Sequence, residues 1–359
     1  FYTRARKGPV AYTNPHRLEE RAALEAAIRH EPADANAHLF LGNLLYAKGQ
    51  REEGFAAWQK AAQLNKDLSL AWRNAGYAQR YLRKDLRASY EAYGKAFAAD
   101  PRDARVFLEM DQVAEMLKVP SAERLALFEK QEETVEARED LVTRLVDLRL
   151  ERGTVADLRR VYEVLKNQHF HSWEGRYGIH HAWVEVNKKL GDLAFDKKDY
   201  QAALSHYQQA CEYPLNLEVA ARTPDFRAHV YWDLAKVYRA MNQADKAREY
   251  LEKIVAEDYS RPHLGTYYQA LAHKALGREG EYSSLLGKLE GAARDRTSGT
   301  FEYRGHAETV GRYLLALVLE EKGDAAAAEA ERRKALGEDA RVARLSVTEA
   351  QIDTARAHQ

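Results

Sequence analysis

Apolar residues recur in helical register over most of the chain. In "LFLGNLLYAKGQREEGFAAWQKAAQLNKD", Leu41 and Gly42 are followed by Leu45 and then by the turn "AKGQ". Gly54, Trp58 and Ala61 come next, at spacings of four and three. Such spacings place residues on one helix face, and a Gly in a polar stretch ends a helix. The stretch predicts a helix, a tight turn and a second helix, with small residues where the two must approach closely.

The pattern returns in "AWRNAGYAQRYLRKDLRASYEAYGKAFAADP". Trp72, Ala75 and Gly76 mark its first helix, Ser89, Tyr93 and Ala96 its second, and Pro101 closes it. One extra residue sits in the turn near "RKD". A third copy, "ARVFLEMDQVAEML", carries Asp111 where the others have Gly or Ala. Pro120 and Ser121 then read as a break and an N-cap. Later copies carry Leu190, Gly191, Ala194, Ala203, Tyr207 and Ala210, then Leu234, Ala235, Tyr238, Ala247 and Leu251. A shortened copy follows, "YYQALAHKALGREGEYSSLLGKL", and a last one contains Leu315, Ala316, Leu319, Ala328 and Ala335. At the start, "NPHRLEERAALEAAIRHEP" reads as the second helix of a partial unit, with Asn14 as cap and Pro15 at the first helical position.

The unit resembles a tetratricopeptide repeat (TPR), whose period is about 34 residues. One helix pair cannot bury its apolar face alone, whereas stacked pairs share a continuous core. Trp58, Tyr93, Tyr207 and Leu251 are the large residues expected between units. The fold expected is all-α: a TPR-like α-α superhelix, a right-handed solenoid of antiparallel helix pairs. The pattern divides the chain into a degenerate partial TPR (1–34), an N-terminal array (35–134) and an irregular helical segment with a His/Trp-rich loop (135–183). A second array (184–291), a loop (292–308), a last unit (309–336) and a polar tail (337–359) follow.

The order of "MDQV", "FHSWEG" and "ACEYPLNL" among the repeats resembles the C-terminal TPR region of bacterial domain-of-unknown-function-5107 proteins, from roughly His38 to Leu336. That resemblance implies a sugar-related context. In the family a β-sandwich domain similar to galactose mutarotases lies upstream of the repeats, and this chain has no such strand-rich stretch. After the Trp-Glu-Gly triplet the family has further Gly and Glu, where Arg176 and Tyr177 stand here.

Charge narrows the partners. Lys plus Arg and Asp plus Glu are 55 each, so formal net charge is zero. A nucleic-acid binder would carry a basic excess, so no nucleic acid is expected. No run approaches the roughly 18 apolar residues of a membrane span, so no membrane is expected. A single cysteine, Cys211, excludes an internal disulfide framework. The chain begins at Phe1, so it reads as a piece or processed product of a longer protein, with the cytoplasm as default compartment.

The window "NQHFHSWEGRYGIHH" concentrates four of the chain's 13 histidines. His169 and His171 are two apart, and Glu174, His180 or His181 offer further nitrogen or oxygen ligands. The spacing matches no zinc pattern. The plainer reading is a loop with Phe170 and Trp173 as core plugs and Gly175 and Gly178 as turns. His169, His171, Trp173 and Glu174 form a candidate loop contact site, with no metal and no cofactor expected.

The repeat register places the partner-binding residues on a concave face made by the first helices. In the first array these are Asn36, Leu39, Asn43 and Tyr46, then Arg73, Asn74, Tyr77, Arg80 and Tyr81, then Arg105. In the second they are His229, Trp232, Lys236, Arg239 and Tyr313. TPRs that clamp a carboxylate tail use Lys, Asn, Asn, Lys and Arg at five such places. Here Leu39 and Glu109 stand at two of them, so that clamp is not expected, although two Asn side chains can hold a peptide backbone. The acidic residues are scattered on helix faces, and no nucleophile, phosphate or dinucleotide motif is present. The reading is a non-catalytic scaffold that binds a protein segment or packs on an upstream domain of its parent chain. The alternative is an accessory part of a carbohydrate-active enzyme whose catalytic domain lies upstream.

Overall fold

A computed structural model of the chain describes residue 10 and residues 15–171, 178–221, 227–259, 261–297 and 304–338. These form helices and turns, with no strand among the described residues. The chain divides into two compact units, residues 1–148 and 149–359.

The first unit contains α1 (Leu18–His30), α2 (Ala35–Ala47), α3 (Arg51–Leu64), α4 (Ser69–Ala78), α5 (Leu86–Ala99), α6 (Ala104–Met116), α7 (Ser121–Lys130) and α8 (Glu132–Glu136). Residues 139–148 of α9 (Glu139–Arg152) also belong to it. Two starts differ from expectation. α1 begins three residues after Pro15, with Arg17 at the cap, where the Glu20 carboxylate accepts from the backbone N–H of Arg17 at 2.8 Å. Asn14 lies outside the described residues. Ser121 is the first residue of α7 rather than its cap, because Pro120 occupies that place.

Within the pairs, close approach is made possible by glycine. A Cβ on Gly54 would stand 2.9 Å from the Gly42 carbonyl oxygen, and one on Gly42 would enter the Trp58 ring. α2 and α3 therefore meet backbone to backbone. Leu39, Phe55, Trp58, Ala61, Ala62, Ala71 and Ala75 form the core that joins this pair to α4. The odd residue of the third copy has its explanation here. Asp111, 3% exposed, accepts a two-pronged bond from Arg124 (2.7 and 2.9 Å) and a further one from Arg144. One buried carboxylate thereby ties α6, α7 and α9 together, where the other copies use a small residue to let helices touch.

The second unit contains α10 (Val155–Asn167), α11 (Gly178–Asp196), α12 (Tyr200–Ala210), α13 (Ala228–Ala240), α14 (Ala244–Val255), α15 (Leu264–Ala275), α16 (Glu279–Thr297), α17 (Arg304–Glu321) and α18 (Ala325–Glu338). Its core runs through Val184, Ala203, Leu204, Tyr207, Val230 and Leu234, then Leu251, Ile254 and Ala272, then Leu286, Leu289, Leu314 and Val318. Helix covers both ends of the span 292–308 that was expected to be a loop. Ala293, fully buried, extends the stripe of Leu286 and Leu289 at a spacing of four, and that stripe outweighs the local Gly, Thr and charge.

Most helix–turn–helix corners share one device. A residue in the left-handed region sits between the helices: Gly49, Lys84 and Lys118 in the first unit, and Gly153, Lys198, Asn242, Gly277 and Gly323 in the second. The next N–H then reaches a carbonyl five residues back, as in Gln50 to Leu45 at 2.9 Å and Asp199 to Ala194 at 3.0 Å. This is the C-terminal closure that left-handed residues allow. At Lys84 the pattern is stretched. Residues Gln79–Arg83 form a π turn, and Asp85 N–H reaches back six residues to Gln79 at 2.9 Å. The extra residue of the second copy is thus absorbed inside the last turn of the first helix.

Candidate functional site

In the first unit, side chains of α2, α4 and α6 meet along one face as two parallel strips. The first strip is polar. Trp58 Nε1 donates to Asn43 Oδ1 at 2.8 Å, and Asn74 Nδ2 donates to the same oxygen at 2.9 Å. Arg73 Nη1 donates to Asn74 Oδ1 at 3.2 Å. Arg73 then grips Glu109 through Nε (2.8 Å) and Nη2 (2.5 Å), and Arg105 Nε adds a bond to Glu109 at 3.1 Å. Burial, with the negative charge of Glu109 nearby, pushes the Tyr93 hydroxyl well up in pKa. Arg73 is itself held charged by Glu109, which outweighs its partial burial.

One helical turn along lies an aromatic strip. Tyr46 stacks on Trp58 at 4.7 Å and meets Tyr77 edge-on at 6.1 Å. Tyr77 packs on Tyr81 at 4.5 Å, the Arg80 guanidinium lies 4.8 Å from the Tyr81 ring, and Arg80 donates to Gln112 at 3.3 Å. Tyr77 and Tyr81 are 38% and 46% exposed, among the few large side chains left open to solvent. Tyr81 and Arg80 belong to the π turn, so the inserted residue is what sets their direction.

The structure thus brings Asn43, Tyr46, Arg73, Asn74, Tyr77, Arg80 and Arg105 onto one face of the first unit. Leu39 is not on it: at 1% exposure it is a core residue. Trp58, Glu109 and Gln112 were not singled out by sequence as parts of the face. Trp58 lies on a second helix, but the glycine gap at Gly42 lets its indole N–H come through to the first-helix face. Tyr207 in the second unit does the same, reaching Asp192 at 2.6 Å past Gly191, where an added Cβ would lie 2.5 Å from its ring.

The residues expected on the second array are placed differently. Lys236 Nζ lies 2.8 Å from Asp233, Lys188 Nζ lies 2.8 Å from Asp233 and 3.2 Å from Asp192, and Asp233 is buried. The two aspartates keep the half-buried Lys188 charged against the pull of desolvation. Two lysines and two aspartates neutralise each other there. Trp232 and Tyr313 are half-buried and pack against core clusters, His229 is buried, and Arg239 is exposed.

The His-rich window is an anchored loop over its described part. Phe170 is buried, its N–H donates to Asn216 O at 2.8 Å, and Asn216 Nδ2 donates to the carbonyls of Leu165 and Gln168 at 2.8 Å each. His169 is exposed, 3.1 Å from Glu218, and stacks edge-on with His171 at 4.9 Å. His180 is buried, stacks on Tyr213 at 4.0 Å and bonds Glu212 O at 3.0 Å. Trp173, Glu174 and Gly175 lie outside the described residues. Among the described residues no three His, Cys, Asp or Glu side chains converge as a metal site. No described helix is long and apolar enough to cross a membrane.

Residues 194–272, from the end of α11 into α15, match the tetratricopeptide-repeat family model. That stretch carries tetratricopeptide repeats, within an all-α, helical-repeat fold. Among solved structures it is similar to YrrB, a TPR protein with an unusual peptide-binding site, at 18% identity, covering 65% of this chain and 91% of that one, with a TM-score of 0.27. It is also similar to the apo form of the quorum sensor NprR from B. thuringiensis (12% identity, 88% and 91% covered, TM-score 0.43). A third is a tetratricopeptide repeat protein from Parabacteroides merdae (12% identity, 83% and 91% covered, TM-score 0.29).

Proposed function

We propose that this protein is a non-catalytic scaffold that holds an extended protein segment across α2, α4 and α6. The observation that carries this is the pairing of a preorganised polar strip with an aromatic strip whose outer rings, Tyr77 and Tyr81, remain open. Rigid aromatics with polar neighbours give contact area at low entropic cost, which suits segment capture. The segment can come from another protein or from a domain of the same parent chain.

Selection of a random peptide library against the intact chain tests this. Selected peptides should lose at least tenfold in affinity against the Tyr77→Ala/Tyr81→Ala double variant, with helicity unchanged by circular dichroism. Selection that yields nothing above background, or peptides indifferent to the double variant, would defeat the reading.

A further inference from the structure

The direction of every hydrogen bond in the polar strip is fixed by its two ends. An indole N–H can only donate, so the Asn43 atom facing Trp58 is its oxygen. That oxygen then receives Asn74 through its amide nitrogen, which turns the Asn74 oxygen toward Arg73, another obligate donor. The consequence is chemical. Asn43 Oδ1 already accepts twice, and the Glu109 carboxylate accepts three bonds from Arg73 and Arg105. Every acceptor of the strip is engaged inside the protein, whereas several of its donors are not. Asn43 Nδ2, the second hydrogen of Asn74 Nδ2, the outer nitrogens of Arg105 and most of the Arg80 guanidinium remain to be satisfied.

Charge runs the same way. Arg73, Arg80 and Arg105 face one carboxylate, Glu109. The nearby acids are committed elsewhere: Glu52 to Arg83, Glu115 to Arg144, and Asp103 to the N-terminus of α6. In the second unit, by contrast, Lys188 and Lys236 are matched by Asp192 and Asp233.

Resting on the function proposed above, we infer that the segment held by this face is internal and acidic. Its backbone carbonyls and carboxylates meet Asn43, Asn74, Arg80 and Arg105, and one apolar side chain lies on Tyr77 and Tyr81. At about 10 Å between neighbouring helices and about 3.3 Å per extended residue, the three helices span a segment of roughly six residues. A free C-terminus is not required, since of the places a terminal-carboxylate clamp would use, one falls on Leu39, which is buried in the core, and another on Glu109, which is itself acidic and held by Arg73 and Arg105.

Fluorescence anisotropy on the intact chain decides the matter. The probes are labelled ten-residue peptides with a central Leu-Pro-Phe: one flanked by Asp and Glu, one by Asn and Gln, one by Lys, each with a free or an amidated C-terminus. The acidic peptide should bind at least tenfold tighter than the Asn/Gln peptide at low salt, lose that margin as salt rises, and bind equally with a free or an amidated C-terminus. Arg80→Gln and Arg105→Gln should each weaken it by about three- to tenfold, and Lys236→Gln should not. Equal binding of the Asn/Gln peptide, a need for the free C-terminus, or sensitivity to Lys236→Gln in place of Arg105→Gln would overturn the acidic, internal assignment and leave the scaffold reading standing. Binding by none of the peptides, together with a failed library selection, would remove both.

Discussion

The indole of Trp58 stands on the second helix of its pair, yet its N–H donates to Asn43 on the first at 2.8 Å, through the space left by the missing side chain of Gly42. Core packing and the outer face are joined at this bond. The large residue that fills the seam between the helices also sets the amide orientation from which the polar strip begins.

Trp58→Phe should keep most of the buried ring and lose the donor. A cost of about 1–2 kcal/mol in urea unfolding is expected, together with weaker segment binding, since Asn43 can then rotate. Gly42→Ala is the harsher change. Its new methyl meets the Trp58 ring with the Gly54 carbonyl oxygen 2.9 Å away, so a loss of roughly 2–3 kcal/mol should be measured by the same denaturation.

Asp111→Ala should be among the most damaging single changes in the first unit. It leaves Arg124 and Arg144 without the buried carboxylate they share, at an expected cost of about 3–5 kcal/mol. The triple variant Asp111→Leu/Arg124→Met/Arg144→Met should recover most of that loss, because it removes the charges together. Urea midpoints of the two variants check both statements.

His263 gives the protein an acid-sensitive corner. Its Nδ1 accepts from the Gly265 N–H at 2.7 Å at the start of α15, so the ring must be neutral. Burial, aided by Arg296, pushes its pKa down to about 4. The unfolded chain, with a pKa near 6.5, takes up the proton first as pH falls. The stabilisation is complete above pH 6.5, drains away between 6.5 and 4, and amounts to on the order of 3 kcal/mol. His263→Asn keeps a capping side chain and should flatten that stretch of the stability–pH curve, as read by thermal melts at each pH.

Lys198 sits at φ 62°, where a side chain is strained and glycine is not. Lys198→Gly should therefore stabilise the second unit by about 0.5–1 kcal/mol in chemical denaturation, and Lys198→Val should destabilise it by at least as much.

The fold was legible because Gly42, Gly76 and Gly191, with Trp58, Tyr93 and Tyr207 following at near-constant intervals, state in plain sequence where helices touch and what fills the seam. Half of the left-handed corners were not legible, since Lys84, Lys118, Lys198 and Asn242 hold that conformation without the glycine that signals it. The first-array face was legible as far as register alone decides it: Asn43, Asn74 and Arg105 fall at matching first-helix positions. Glu109 reads in sequence only as a departure from a clamp, because its pairing with Arg73 comes from a contact thirty-six residues apart that local pattern does not encode. On the second array, register placed Trp232 on the face, but the Leu251 and Ile254 core draws its ring half inside.

The widened turn at Gln79–Arg83 has a bearing on how this array can be edited. Modules that all obey one helical phase can be duplicated, trimmed or traded. This one is out of step by a residue, and Tyr81 and Arg80 owe their outward aim to that offset. Grafting it onto another scaffold would carry the aim along only if the slack were carried too, and a tidy consensus rebuild would preserve the stack while turning both side chains aside.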